Sequence, residues 1–161
     1  MIRALLALVL LLPFAPQTSE AFVFRKIVYC SPIEGLVHWA GKPLENVVAT
    51  RELYSGGFDG GKYSDTATTN AQGQFKFAVV EERRFLRPDL LSANPVVSQT
   101  IKVFHNGVTY LIWYFRKPNF ELGTESTTGN LQLDCDLSIS EMGGESRIVR
   151  CKNNGIQQQW N

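Results

Sequence analysis

Residues 35–77 constrain this chain more than any other stretch, because they carry two strand-and-turn units with their punctuation intact. Gly35-Leu36-Val37-His38-Trp39 and Val47-Val48-Ala49-Thr50-Arg51 both alternate in the two-residue period of a strand. Between them lies Gly41-Lys42-Pro43-Leu44. Glycine takes the positive φ of a tight turn, and Pro43 fixes its own φ while pushing Lys42 toward an extended conformation. The expectation is a hairpin or a crossover between sheets. Thr68-Thr69-Asn70-Ala71-Gln72-Gly73 reads as a turn, with Asn70 bonding its own backbone and Gly73 left-handed. Residues 74–79 then alternate, so Phe75, Phe77 and Val79 share one face.

Gly35-x-Val37, then Gly41-Lys42-Pro43-Leu44-x-Asn46-Val47, then Thr69-Asn70-Ala71-x-Gly73-x-Phe75-x-Phe77 resembles the carboxypeptidase-regulatory-like domain, a small prealbumin-like (transthyretin-like) β-sandwich. In that family the first motif makes the opening strands and the second makes a later strand that starts at a turn. The resemblance implies an all-β fold, a single antiparallel β-sandwich of prealbumin-like or Ig-like kind. It is nearly silent on function, because such sandwiches serve as folding appendages, adhesin stalks, carriers and inhibitors. Seven prolines, thirteen glycines and many short alternating runs favour the same architecture.

Arg3 precedes an apolar run over residues 4–14, and Ser19-Glu20-Ala21 ends it with small residues where signal peptidase reads. Residues 1–21 are therefore expected to be a secretory signal and residues 22–161 one β-sandwich domain. The run is too short for a membrane span. The remaining 140 residues hold 15 basic and 14 acidic side chains, a balance that argues against a nucleic-acid surface. The expected location is periplasmic or secreted.

Residues 54–65 form a glycine-rich loop that presents Tyr54, Phe58, Asp59 and Tyr63. It has neither phosphate-cradle nor calcium-loop spacing, so no metal is assigned to Asp59 and Asp65. Residues 81–91 read as a charged connection with one helical turn, bearing Arg83, Arg84 and Arg87. Residues 96–104 and 108–115 are a hairpin closed by Asn106-Gly107, the strongest two-residue signal for a type I′ turn. Residues 110–115 are apolar on both faces, as a central strand would be. Residues 116–118 end that strand, and residues 119–130 are loop-like.

Residues 131–137 alternate strictly, with the leucines and Cys135 on one face and Asp134 and Asp136 on the other. Cys135 and Cys151 are equidistant from Gly143, so a hairpin turning at residues 142–144 sets them opposite one another. The expectation is a Cys135–Cys151 disulfide with Cys30 unpaired. No catalytic motif surrounds His38 or His105, no cofactor motif is present, and a histidine-based hydrolase is the least supported reading. The preferred function is non-catalytic binding of another protein in the exported compartment, as an immunity or accessory protein. Its contact surface combines Tyr54, Phe58, Asp59 and Tyr63 with Arg83, Arg84 and Arg87, since aromatics and arginines dominate interface energies. The alternative is a carrier or binding module for a small molecule or carbohydrate.

Overall fold

The computed structural model describes residues 24–85 and 96–156. In chain order the strands are β1 (Arg25–Cys30), β2 (Ile33–Trp39), β3 (Lys42–Pro43), β4 (Val48–Tyr54), β5 (Lys62–Thr68), β6 (Gln74–Phe77) and β7 (Val80–Arg84). They continue with β8 (Val97–His105), β9 (Val108–Lys117), β10 (Leu131–Asp136), β11 (Glu141–Gly143), β12 (Ser146–Ile148) and β13 (Lys152–Asn153). The described residues contain no α-helix, and none of their helices is long and apolar enough to cross a membrane. They form an all-β sandwich.

One layer has six strands in the order β11-β12-β9-β8-β4-β5. The other has the order β13-β10-β2-β3, with β6 also paired to β2, and a two-stranded ribbon joins β1 to β7. Most pairings are antiparallel, but β10 runs parallel to β2 and β12 parallel to β9. The core lies between the layers: Val37, Phe75, Leu131 and Leu133 from one face Ala49, Leu53, Ile101 and Trp113 from the other.

The two halves of the 35–77 stretch meet on β2. Ala40 and Gly41, at φ 47° and 80°, turn the chain so that β3 pairs with the end of β2. The chain then crosses to the other layer as β4, so this connection contains both the hairpin and the crossover. The second half returns as β6 against the beginning of β2, Ile33 opposite Phe77 and Gly35 opposite Phe75. At the junction the Val37 amide donates to Gly73 O (2.8 Å), and Val37 O accepts from Leu44 N (3.0 Å). Asn70 Oδ1 accepts from the amides of Gln72 (3.0 Å) and Gln74 (2.9 Å), as its position before Gly73 implies.

The β8–β9 hairpin turns at Asn106 and Gly107, φ 50° and 76°, and β9 is central between β8 and β12. Ile101 faces Trp113 while Lys102 faces Leu111, so Ile112 is the extra residue of a β-bulge. That bulge lets the successive residues Ile112 and Trp113 both be buried.

Three sequence expectations change. Of the expected connection at residues 81–91, residues 81–84 belong to strand β7, which pairs with β1, and Lys26 Nζ meets Glu81 Oε2 at 2.7 Å; residues 86–91 lie outside the described residues. Beyond Val80 the run is all charged and carries no apolar alternation, so the pairing is invisible locally. The strand ended in the sequence reading at residues 116–118 continues through Lys117, which is fully buried. The glycine-rich loop is shorter than expected, because Lys62, Tyr63, Ser64 and Asp65 already belong to β5.

The Cys135–Cys151 disulfide is present, with Cα atoms 4.4 Å apart, and Cys30 is free and buried. The local hairpin is not what aligns it. β11 and β12 turn around Gly144 and Glu145 in the six-stranded layer, with Gly143 opposite Ser146. The cysteines instead extend the β10–β13 ladder of the other layer, in which Leu133 faces Asn153 and Asp134 faces Lys152.

Gly35 is needed for close approach. A Cβ at that position would lie 2.1 Å from the Phe75 ring, which covers the glycine on the facing strand. Gly35→Ala is expected to cost about 1–3 kcal/mol through overpacking, read as a lower denaturant midpoint at unchanged slope.

Candidate functional site

The glycine-rich loop is held at both ends and in the middle. Ser55 N donates to Gly61 O (3.1 Å), Phe58 N to Ser55 O (3.2 Å) and Gly61 N to Phe58 O (2.9 Å), closing a short 3-10 turn at Asp59–Gly61. Gly57 is buried beneath Tyr29, whose hydroxyl donates to Gly57 O at 3.3 Å. Arg84 Nη2 donates to the same carbonyl at 2.5 Å, and Glu82 contacts both the Tyr29 hydroxyl and Arg84. Burial, then the Glu82 hydrogen bond, pushes the Tyr29 phenol well above its ordinary value.

The structure thus joins the two segments singled out from sequence, but it divides their residues. Phe58 packs on Tyr29 with ring centroids 4.2 Å apart and on Tyr63 at 5.8 Å, so these two aromatic rings anchor the loop to the core. Tyr54 and Asp59 are exposed, Arg83 is exposed on β7, and Arg84 is half-buried as the tie. Arg87 lies outside the described residues. Asp65, considered above as a cation ligand, binds Arg51 through both oxygens, to Nε at 2.9 Å and to Nη2 at 2.6 Å.

Arg51 is one of two buried cations among the described residues. Its guanidinium also donates to Ala78 O (2.8 Å) and lies 4.7 Å from the Phe77 ring centroid. Beside it is the Cys30 thiol, which burial pushes up to about 12. The second cation is Lys117. Its Nζ is 3.1 and 3.2 Å from the two oxygens of buried Glu125, which also accepts from Ser31 Oγ (2.5 Å), Ser31 N (3.1 Å) and Gln99 Nε2 (2.6 Å). Burial alone would raise the Glu125 pKa; Lys117 and the Ser31 and Gln99 donors outweigh it and hold the carboxyl below its ordinary value. Sequence reasoning missed this network. The signal was parity: a strand carried two residues past Phe115 puts Lys117 on the inner face beside it.

The two histidines have separate surroundings. His38, on the outer face of β2, has Nε2 2.8 Å from Asp134 Oδ1 and Nδ1 3.4 Å from Asp136 Oδ2. Asp136 is held below the usual carboxylate value by the Ser138 hydroxyl above all, with the Ala40 and Ser138 amides and His38 adding to it. Asp134 and Asp136 therefore flank an imidazole, hydrogen-bonded at Nε2 and without a hydrogen-bond partner at Nδ1. His105 instead packs near the Trp39 ring, at 6.1 Å between centroids. Among the described residues no group of three or more His, Cys, Asp and Glu side chains is arranged to hold a metal.

Asp65→Ala would leave the Arg51 charge buried without its counterion, and a loss of about 3 kcal/mol in unfolding free energy is expected from chemical denaturation. Cys30 should resist thiol reagents in the native protein at mildly alkaline pH and react only on denaturation. Fast native labelling would contradict its buried placement.

No curated protein matches the sequence. Among solved structures, the crystal structure of chlorocatechol 1,2-dioxygenase from Pseudomonas putida is similar over 77% of this chain and 58% of that one, with 15% identity and a TM-score of 0.28. The chain thus spans little more than half of that protein's length, and the likeness carries no argument about chemistry. The family model described as a domain of unknown function (DUF6795) matches residues 33–140, from the start of β2 to just beyond β10. That match takes in well over half of the sequence, and the chain belongs to this family.

Proposed function

We propose that this chain is an exported, non-catalytic protein-binding module of the carboxypeptidase-regulatory-like kind, acting in the periplasm or outside the cell. The observation that carries the reading is the pinned loop at residues 55–61, whose buried Gly57 is tied to β1 and β7 while Tyr54 and Asp59 are exposed at and beside it and Arg83 is exposed on β7, next to the Arg84 tie. A loop ordered before its partner arrives loses less conformational entropy on binding. The same loop leads into β5, a regular seven-residue strand at the edge of the six-stranded layer, with no strand on its far side among the described residues. Its free main-chain groups suit an extended segment of a partner protein.

Support for the family reading comes from the way Gly35, Gly41, Pro43, Asn70 and Gly73 serve as close-approach and turn residues around β2. Support for export comes from the Cys135–Cys151 disulfide, since such bonds persist in oxidising compartments. The carrier reading draws less support. The depressions on the outer face of the β2 layer, of about 220 and 360 Å3, are lined mostly by polar side chains such as Glu34, Gln74, Lys76, Gln132, Asp134 and Lys152.

The test compares the full chain with its Tyr54→Ala/Asp59→Ala/Arg83→Ala variant, checked for folding by circular dichroism, in affinity capture from the producing organism's exported fraction. One stoichiometric protein held by the native chain and released at least tenfold more readily by the variant is expected. Capture unaffected by the three substitutions, or no stoichiometric protein at all, would overturn the reading.

A further inference from the structure

The interior holds a primary amine, a carboxamide and a carboxylate in one water-excluded group. Lys117, Gln99 and Glu125 are each at most 1% exposed. Val97 faces Lys117 and Gln99 faces Phe115 across β8 and β9, so the Lys117 and Gln99 side chains are diagonal neighbours on the same inner face. Both reach a single atom: Glu125 Oε1 accepts from Lys117 Nζ at 3.1 Å and from Gln99 Nε2 at 2.6 Å. We propose that Lys117 and Gln99 become joined by an intramolecular isopeptide bond, with Glu125 transferring the proton.

The hydrogen bonds assign the roles. Lys117 Nζ bonds both Glu125 oxygens, at 3.1 and 3.2 Å, and so approaches from the lone-pair side. A nucleophile would have to approach the carboxyl carbon from above its plane, so Glu125 is placed as proton acceptor and not as electrophile. Gln99 Nε2 donates both to Glu125 and to Tyr29 O (3.1 Å), which fixes the orientation of the amide. Its carbonyl oxygen is buried and has no hydrogen-bond partner. Ser31, the other nucleophile on Glu125, is engaged by donating from Oγ to Oε2 (2.5 Å) and accepting at Oγ from Gly123 N (2.8 Å).

The reaction needs no co-reactant. Glu125 carboxylate takes a proton from the Lys117 ammonium, and the resulting amine attacks Gln99 Cδ. The C–N bond to Lys117 forms, the Cδ–Nε2 bond breaks, and the nitrogen of the former amide leaves as ammonia, its third hydrogen coming from Nζ. Glu125 remains protonated beside the new amide, so charge balances and a buried ion pair becomes two neutral groups. Glu125 Oε1, 3.1 Å from Lys117 Nζ and 2.6 Å from Gln99 Nε2, is the acceptor that both groups share, and the fold supplies the proximity.

The experiment is mass spectrometry of the full chain, digested with chymotrypsin after disulfide reduction. Cleavage at the aromatic residues between positions 99 and 117 separates the two side chains unless they are linked. The expected result is a linked peptide pair containing Gln99 and Lys117, lighter than its two parts by one ammonia. Lys117→Arg and Glu125→Gln, each confirmed folded by circular dichroism, should give the separate peptides. Unlinked peptides from the native chain would overturn the proposal. So would a pair lighter by one water that contains Glu125, or a link that survives Glu125→Gln.

Discussion

The main chain of Val37 is where this sandwich is closed. Its amide and carbonyl bond Gly73 O and Leu44 N, so one residue of β2 holds both halves of the motif stretch at once. Buried Thr69 doubles the tie: its hydroxyl donates to Leu44 O at 2.6 Å and accepts from Val47 N at 2.9 Å, while its amide donates to Val47 O. Each bond satisfies a main-chain group that would be costly to bury unpaired. With β3 and β6 fixed on one side of β2, β10 can align parallel on the other, and the inner faces of both layers are set.

What was legible in the sequence follows from how local each cause is. The turns at Gly41, Gly73 and Asn106-Gly107, and the alternation of β2, β4, β6 and β10, are decided within a few residues. The end of β9, strand β7 and the burial of the interior ion pairs depend on tertiary packing rather than on local pattern, although Asp65 and Glu125 lie only 14 and 8 residues from Arg51 and Lys117. Glu125 sits in a stretch that reads as loop, and nothing near it announces that Ser31, more than ninety residues earlier, will hold it. Arg51 and Lys117 look like surface cations until tertiary packing supplies Asp65 and Glu125. The disulfide pair was legible through a spacing that fits the β10–β13 register, although the intervening hairpin turns one residue later and in the other layer. Of the candidate surface, the meeting of loop and arginine segment was anticipated in composition, while the inward aim of Phe58 and Tyr63 was not.

The two buried cations divide the interior into unlike regions. Arg51 is held by a planar pairing with Asp65, a carbonyl and an aromatic face, which suits a delocalised and permanently charged group. Lys117 is a point charge with one carboxylate partner, a geometry in which a proton can be handed over. Cys30 lies between these influences, shielded from solvent and from the other cysteines.

Cys151 lies on the segment by which the chain passes from β12 in one layer to β13 in the other, and its disulfide partner Cys135 is on β10. Tension applied to the chain beyond residue 151 is therefore delivered through a covalent bond into the β2–β10 pair. The two-residue ladder of β13 does not carry that load alone. Because β2 and β10 run parallel with six residues in register, such a pull loads their hydrogen bonds in shear and together rather than opening them one after another.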